Sequence, residues 1–328
     1  MPVFNVLKTQ IELREFRRRL LTWYRANRRD LPWRRTRDPY RIWVSEIMLQ
    51  QTRVAAVLEH YRQFLKRFPT VRHLASADEP HVLAAWSGLG YYRRARMLRR
   101  AAKELVAKRE GQLPRTSGEL QQLPGIGRYT GNAISSIAFG EAVAVVDGNV
   151  ERVLNRITRA EVSGQELWSA AQQLLDPANP GDFNQAMMEL GATVCMPAAP
   201  SCGRCPIRPH CAFESLTAQS ASARPKRRQR TAFLLLHRRG DMILLQRRSE
   251  RESLMPGMWE LLQLKARAGP SLMKIRHSIT MTDWTVEVFE GGDPNYTSSA
   301  QWIRTSRLST LPLTGLTRKI LLKLKMLA

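Results

Sequence analysis

The four cysteines of the chain all lie between positions 195 and 211, and this cluster restricts the possible folds more than any other feature. Their spacing is C-x6-C-x2-C-x5-C, with prolines and a glycine among them that favour tight turns. Four thiolates on one short loop predict a metal site. Zinc takes four sulfurs tetrahedrally and a [4Fe-4S] cube takes one at each corner, so the spacing alone leaves both metals open. The predicted ligands are Cys195, Cys202, Cys205 and Cys211.

The balance of charge points to a polyanionic partner. Lys and Arg number 52 against 28 Asp and Glu, which gives a formal net charge of +24 and a pI near 11. Nucleic acid is therefore the first candidate partner. A chain of 328 residues predicts two or three domains, each with its own core.

The cysteines and the hydropathy pattern also bear on location. Clustered cysteines without a preceding signal segment argue against a disulfide framework and predict a reducing, intracellular setting. The most apolar stretch, residues 132–146, contains Glu141 and falls short of the roughly 18 uncharged residues that a membrane helix needs. We therefore expect no membrane partner.

Hydrophobic periodicity divides the chain into two parts. Apolar residues recur at helical spacing from Ile11 to about Phe139 and again from Val150 to Val194, with a break at 177–181. Residues 217–230 contain small, polar and basic residues without a large apolar side chain, which predicts a linker.

Beyond the linker the hydrophobic periodicity changes from helical spacing to patterns typical of strands. Residues 231–237 and 242–246 predict two strands of a hairpin around the turn at 238–241. A further strand is expected at 284–289 and a closing amphipathic helix at 316–327. This part predicts a small α+β domain of about a hundred residues.

The segment L-P-G-I-G-R-Y-T at 123–130 lies between two helical patterns. Gly125 and Gly127 allow a sharp turn that points backbone N–H groups outward at the start of the next helix, where an anion is favoured. The alternative is an ordinary connection between two helices. The dinucleotide-binding fingerprint does not fit, because no strand precedes these glycines.

These motifs together resemble the helix-hairpin-helix DNA glycosylase superfamily with an iron-sulfur cluster. Within it, residues from about 8 to 212 resemble the MutY-type adenine DNA glycosylases, and the C-terminal part more loosely resembles their Nudix-like recognition domain. The matching segments are L-P-W at 31–33, W-V-S-E-I-M-L-Q-Q-T at 43–52, G-L-G-Y-Y at 88–92, L-P-G-I-G-R-Y-T, V-D-G-N-V at 146–150 and F-N-Q-A-M-M-E-L-G at 183–191.

The resemblance implies a mainly α, two-lobed glycosylase fold with an iron-sulfur loop, followed by a small α+β Nudix-like domain. It also implies a [4Fe-4S] cluster, a monomer, and a bacterial cytoplasmic, nucleoid-associated location. The expected domains are a glycosylase domain at 1–215, with a six-helix lobe at about 29–138 and an iron-sulfur lobe at 1–28 plus 139–215, a basic linker at 216–230 and the Nudix-like domain at 231–328.

The implied reaction is hydrolysis of the N-glycosidic bond of adenine paired with 8-oxoguanine or guanine in double-stranded DNA. Such chemistry needs an acid for the leaving base and an anion beside the sugar cation. Glu46 lies in an apolar helix that would raise its pKa, and it matches the family's acid. Asp147 precedes Gly-Asn and a helix, near backbone donors, and matches the carboxylate. A solvated Glu and a simple helix cap are the alternatives.

Tyr129 separates this chain from relatives that also cleave the DNA backbone. Those relatives carry a Lys at this position as a Schiff-base nucleophile, and Tyr cannot form that imine. A monofunctional glycosylase without lyase activity is therefore expected. Asn149 and Glu189 match further pocket positions, where they would position Asp147 or the attacking water.

Several residues match positions with which the family grips DNA. Gln50 and Gln51 would contact base edges, and Tyr91 would wedge a base step. Gly125, Gly127 and Arg128 form the hairpin that would hold a phosphate. Eight Lys and Arg residues against a single acid between 92 and 109 also suggest phosphates, although such a run is usually a solvated face.

Two segments depart from the family pattern. The loop at 196–201 has no basic residue, for which Arg204 and Arg208 would compensate. The segment 277–281, H-S-I-T-M, keeps one His and places Thr280 to hydrogen-bond 8-oxoguanine, but it lacks the Phe and second His of the family. The acidic run that would hold Mg²⁺ after Gly257 is also missing, so no diphosphatase activity is expected.

Two alternatives stay open. A thymine or uracil glycosylase acting at G mismatches could use the same hairpin and Asp147. A non-catalytic DNA-binding protein could use the cluster as a redox sensor, and its cellular role would then survive changes at Glu46 or Asp147.

Overall fold

The computed structural model describes residues 9–159, 163–214, 227–279, 281–291 and 299–327. Their contacts divide them into two compact units. The first contains residues 9–61, 70–72 and 100–214, and the second contains residues 62–69, 73–99 and the described part of 227–327. None of the helices in these ranges is long and apolar enough to cross a membrane.

Helices make up the region before residue 194, as the periodicity predicted, and one helix closes the chain. Several begin at side-chain caps: Thr9 and Glu12 form a capping box, and Asp38 accepts two N–H donors at the start of the second helix. The helices are α1 (Gln10–Asn27), α2 (Pro39–Leu49), α3 (Val54–Arg67), α4 (Val71–Ser76), α5 (Glu79–Trp86), α6 (Arg93–Arg109), α7 (Ser117–Leu120), α8 (Arg128–Ile134), α9 (Gly148–Thr158), α10 (Gly164–Leu174), α11 (Pro180–Thr193) and α12 (Gly315–Lys323).

Helix α2 lies in the interior of the first unit. Eight of its eleven residues are buried, so even its polar side chains lie away from solvent. It packs against α8, and α9 packs against α11. A separate core, which includes Phe16, Leu20 and Leu190, joins α1, α9, α10 and α11. The α2–α8 pair and the group of α1, α9, α10 and α11 carry the side chains of the candidate site.

The turn between α7 and α8 is the predicted hairpin. Gly125 has φ +79°, a left-handed conformation that favours glycine. Gly131 lets the two helices approach, because a Cβ there would lie 3.2 Å from the Ser117 carbonyl oxygen. Helix α8 continues into a π-helical turn at Ser135–Phe139, which ends at Gly140.

The second unit contains two four-stranded sheets. In the first sheet the order is β5-β1-β7-β6, with β1 and β7 parallel and the other pairs antiparallel. In the second sheet β3 pairs with β2, β4 and β8. The strands are β1 (Arg228–Leu236), β2 (Arg238–Arg239), β3 (Met242–Arg247), β4 (Trp259–Glu260), β5 (Leu262–Leu264), β6 (Met273–Ile279), β7 (Thr282–Glu290) and β8 (Ala300–Arg304).

The predicted fold class, helical and then α+β, is confirmed, but one predicted strand pairing is wrong. The turn at 238–241 joins β2 and β3, with Arg239 opposite Met242. Strand β1 pairs instead with β5 and β7 in the other sheet. The apolar runs in β1 and β3 predict buried strands, and both contain consecutive buried residues. Such runs do not say which strand pairs with each edge, so sequence proximity misled.

Candidate functional site

A cavity of about 750 Å³ opens in the first unit. Its volume falls in the range of roughly 300–1,000 Å³ that ligand pockets occupy. Helices α2, α8 and α11, the start of α9 and the segment before α2 supply its walls. All five sequence-predicted catalytic residues line it: Glu46, Tyr129, Asp147, Asn149 and Glu189.

Glu46 is a buried carboxyl group in this wall. The packing of α2 on α8 brings it to Tyr129, whose hydroxyl donates a 2.9 Å hydrogen bond to Glu46 Oε2. Burial raises the pKa of Glu46 to about 7, the hydrogen bond from Tyr129 opposes this rise, and the negative charge of Asp147 adds to it. Glu46 can therefore carry a proton near neutral pH.

The Tyr129 hydroxyl group contacts two side chains, Glu46 and Met188. The same oxygen lies 3.4 Å from Sδ of Met188 on α11. Burial and the neighbouring carboxylates of Glu46 and Asp147 raise the pKa of Tyr129 well above its ordinary value. The phenol is therefore a hydrogen-bond donor to Glu46 and not a phenolate.

Asp147 lies at the N-terminus of α9 in a different setting. Its Oδ1 accepts hydrogen bonds from the backbone N–H of Asn149 at 2.9 Å and of Val150 at 2.8 Å. Its Oδ2 accepts a third from Asn149 Nδ2 at 2.9 Å. Three donors and the positive end of the helix dipole stabilise a negative charge here. Asp147 thus caps the helix, and it also faces the cavity.

Glu189 forms an ion-pair network that the sequence did not predict. Its side chain is fully buried on α11, and Arg29 and Arg34 each donate to Oε2 at 2.7 Å. Burial raises the pKa of Glu189, but the hydrogen bonds from Arg29 and Arg34 outweigh burial and lower it to about 2. The only hint in the sequence is that both arginines flank the L-P-W motif at 31–33.

The predicted DNA-contacting residues of the first unit lie on two segments. Gln50 and Gln51 line the cavity at the end of α2; Gln50 Nε2 donates to Thr130 Oγ1 at 3.2 Å, and Gln51 has φ +54°. Gly127 precedes the first residue of α8, Arg128. The Arg128 guanidinium lies 4.0 Å from the ring centroid of Trp168, and it donates a 2.9 Å hydrogen bond to Gln165.

The remaining predicted contacts lie elsewhere. Tyr91 belongs to the second unit, and Thr280 lies outside the described residues. Five of the eight basic residues between 92 and 109 have partners within the chain, so their excess does not by itself require phosphates. These five are Arg94, Arg96, Arg99, Lys108 and Arg109.

The cysteine loop follows α11 and packs on the core of the first unit. All four thiols are half-buried. Burial raises the pKa of the Cys205 thiol to about 11, a backbone hydrogen bond opposes this, and the other three cysteines raise it further. Arg208 donates to the Phe213 carbonyl at 2.5 Å, within the loop.

The described residues contain no group of three or more His, Cys, Asp or Glu side chains arranged to hold a metal ion. Four sulfurs around one zinc would lie about 3.8 Å apart, given a Zn–S bond of about 2.3 Å. A cube binds each thiolate through its own iron and spaces the sulfurs more widely. Four soft thiolate donors on one loop fit either a zinc ion or an iron-sulfur cluster.

Two arginines of α9 contact this loop, and one of them also reaches the cavity. Arg156 donates to Cys195 Sγ at 3.2 Å and to the Met196 carbonyl at 2.8 Å. Arg152 donates to the Cys195 carbonyl and to Asn149 Oδ1, both at 2.9 Å. Because Asn149 binds Asp147, one arginine spans from the first cysteine to the residue that holds the carboxylate.

The sequence of this chain is similar to those of known DNA repair proteins. Residues 44–176 match the HhH-GPD superfamily of base excision DNA repair proteins. Adenine DNA glycosylase of Homo sapiens is 49% identical over 223 residues, 63% of this chain and 41% of that protein. Adenine DNA glycosylase of Rattus norvegicus is 51% identical over 224 residues, 63% of this chain and 43% of that protein. The chain thus spans less than half the length of these relatives.

A solved structure shows the same relationship at the level of the fold. A thermostable thymine-DNA glycosylase superposes with a TM-score of 0.58 at 30% identity, over 62% of this chain and 96% of that one. Nearly all of that glycosylase is therefore represented here. The chain belongs to the HhH-GPD superfamily of base excision DNA repair proteins, and the MutY-type adenine DNA glycosylases are its relatives within it.

Proposed function

We propose that this protein is a monofunctional adenine DNA glycosylase that removes adenine paired with 8-oxoguanine or guanine. One observation carries the proposal: two carboxyl groups share one cavity in opposite environments. Glu46 is buried with a raised pKa, whereas Asp147 is surrounded by N–H donors. Pairs of this kind supply an acid and an anion at the same pH.

Glu46 acts as the acid in this account. Adenine leaves poorly as an anion, so proton transfer from Glu46 to the flipped base lets it leave neutral. The N-glycosidic bond breaks with its electron pair going to the base, and a cationic sugar remains. Tyr129 then donates its hydrogen bond to the carboxylate that has formed.

Asp147 stabilises the sugar cation. Its negative charge lies beside the developing positive charge, and Asn149 fixes its orientation through Nδ2. Water adds to the sugar carbon and gives up its proton, which restores Glu46. The products are adenine and an abasic site.

The absence of an amine at position 129 makes the proposed enzyme monofunctional. A lyase reaction needs an imine between a nucleophilic amine and the sugar, and the phenol of Tyr129 cannot form one. The DNA strand therefore stays intact until alkali or another enzyme breaks it.

Double-stranded DNA is the proposed substrate. The net charge of +24 supports it, as do Gln50, Gln51 and the hairpin at Gly125 to Arg128. We further propose that the C-terminal region senses the base opposite adenine, with Thr280 as one contact. Its neighbour His277 lies on β6, half-buried, at the hairpin that leads into β7.

The proposed cofactor is a [4Fe-4S] cluster held by Cys195, Cys202, Cys205 and Cys211. When bound, it would brace the loop and present a redox-active group near Arg156. A brown protein with about four irons per chain, lost in a Cys202→Ser variant, is expected. Colourless protein with one zinc would contradict this assignment.

Duplex cleavage under single-turnover conditions tests the proposed activity. Labelled duplexes would carry A opposite 8-oxoguanine, A opposite G, T opposite G or U opposite G, and alkali would follow. Alkali-dependent cleavage fastest for A opposite 8-oxoguanine supports the proposal. Excision of T or U would instead favour the activity named for the thermostable thymine-DNA glycosylase, which is 30% identical. Tight binding without excision would favour a DNA-binding protein.

A further inference from the structure

The loop that carries Tyr91 has an unusual backbone. Gly88 and Gly90 have φ values of +108° and +70°, and Tyr91 itself has φ +47°. A left-handed tyrosine costs free energy and persists only where its surroundings hold it. Its side chain is nevertheless 51% exposed, so contacts made by its neighbours must fix the loop.

Part of this hold comes from within the loop. Arg94 donates to the carbonyl oxygens of Leu89 at 3.3 Å and Gly90 at 3.2 Å. Its guanidinium also faces the rings of Trp86 and Tyr91 at 5.6 and 5.4 Å. Trp86 Nε1 adds a 3.2 Å hydrogen bond to the Gly90 carbonyl.

The other part comes from one carbonyl group far along the chain. Ser87 Oγ donates to the Leu313 oxygen at 2.8 Å, and the Tyr92 hydroxyl donates to the same oxygen at 3.2 Å. Ser87, Tyr92 and Leu313 are all buried. These two hydroxyls flank the strained residue, one on each side along the sequence.

Leu313 is itself fixed in the C-terminal region. The Trp259 N–H donates to the Pro312 carbonyl at 2.9 Å, and the Thr314 N–H donates to the Trp259 carbonyl at 2.9 Å. A second tie lies nearby, because Arg96 Nη2 donates to the Pro256 carbonyl at 2.8 Å. The loop is therefore bound to Leu313, which strand β4 holds in place, and to Pro256, and both residues lie in the second unit.

We infer that Ser87 and Tyr92 are positioning residues that fix Tyr91 through the Leu313 carbonyl. The C-terminal region thereby sets the position of the side chain that wedges the duplex. This inference rests on the proposed function and deepens it: the region proposed to sense the opposite base also controls base extrusion.

The test compares the wild type with a Ser87→Ala/Tyr92→Phe double variant, a Tyr91→Ala variant and the triple variant that carries all three changes. Ser87→Ala and Tyr92→Phe each delete only a hydroxyl group. Each is also measured as a single variant, in case the double variant folds poorly. The matched control is Thr310→Val, which deletes another hydroxyl-to-carbonyl bond, to Arg307, in the same unit. Thermal melting verifies that all variants fold.

Two readouts follow. A 2-aminopurine base beside the mispair reports unstacking on binding, whether or not excision occurs, and single-turnover excision reports the rate. We expect the Ser87→Ala/Tyr92→Phe double variant to lose most of the fluorescence rise and to excise about fivefold more slowly. Thr310→Val should match the wild type in both readouts. In the Tyr91→Ala background the same changes should add nothing, because the wedge is already gone.

Wild-type fluorescence and rate in the double variant would overturn the inference. An equal further loss in the Tyr91→Ala background would overturn it too, since the effect would then be general. If the wild type releases no adenine, the proposed function fails, while the fluorescence arm still decides whether Leu313 positions Tyr91.

Discussion

The hydroxyl of Tyr129 donates a 2.9 Å hydrogen bond to Oε2 of Glu46, and this bond opposes the rise in pKa that burial causes. Burial favours the protonated acid, and the bond favours the carboxylate. Their balance places the pKa of Glu46 at about 7, where the group can both give and regain a proton.

The pH profile of excision follows from this value. Only protonated Glu46 can protonate adenine, so the single-turnover rate should be constant below pH 7 and fall about tenfold per unit above it. Quenched-flow measurements between pH 5.5 and 9 would check this. A rate that rises through pH 7 would contradict the assignment of Glu46 as the acid.

Tyr129→Phe should move that profile. The variant keeps the ring and removes the donor that favours the carboxylate, so the pKa of Glu46 should rise and the alkaline fall should begin at higher pH. The same rate series measured on this variant gives the shift. A fall that begins at lower pH would show that the hydroxyl does not stabilise the carboxylate.

Glu189→Gln should destabilise the fold in a pH-dependent way. The lowered pKa of Glu189, about 2 against 4.5, means that its ion pairs stabilise the protein above pH 4.5 and that this contribution disappears as pH falls towards 2. Removing the charge leaves Arg29 and Arg34 without their shared partner. We expect a loss of about 3 kcal/mol at pH 7 and a much smaller one at pH 3, measured by urea unfolding.

The exposed pair of Arg35 with Asp30 provides a control for this experiment. An Asp30→Asn variant should change the free energy of unfolding by less than about 1 kcal/mol at either pH, because surface pairs contribute little. A Glu189→Gln variant as stable as this control would refute the stabilising role of the network.

Sequence patterns anticipated the central pair of this site but not its surroundings. The family resemblance singled out Glu46 and Asp147, and their local contexts, an apolar helix and a position before a helix, agree with the observed burial and capping. Arg29 and Arg34 were not predicted, since their partner Glu189 lies about 160 residues away and basic residues are common in this chain. Long-range ion pairs leave no local pattern.

The same limit explains the fold-level outcome. Periodicity predicted the helical region and the C-terminal strands, but β1 joins a different sheet from β3 because pairing depends on distant strands. Arg94 and Arg96 belong to the basic run whose excess of positive charge suggested phosphate contacts, yet they bind backbone carbonyl groups within the chain. Only contacts distinguish a structural arginine from a solvated one.

Gly191→Ala should disturb Asp147 through the packing of α11 on α9. A Cβ at this position would lie 2.6 Å from Asn149 Cβ and 3.0 Å from its carbonyl oxygen, so the helices must move apart. Because Asn149 orients Asp147, excision should fall more than tenfold beyond any loss of stability. Single-turnover rates and thermal melts would separate the two effects.

Gly181→Ala is the matched control. Its Cβ would meet the Ser136 carbonyl oxygen at 2.7 Å, a similar overlap that does not involve Asn149. It should lower the melting temperature comparably while folded protein keeps most of its rate. Equal rate losses in both variants would mean that Asn149 does not transmit the effect.

The most direct test of the central claim is identification of the free base that wild-type and Glu46→Gln proteins release from a duplex with adenine opposite 8-oxoguanine. Gln fills the same space but cannot give up a proton. Mass spectrometry under single-turnover conditions should detect adenine from the wild type and at least a hundredfold slower release from the variant. Adenine release at an unchanged rate by Glu46→Gln would contradict the account.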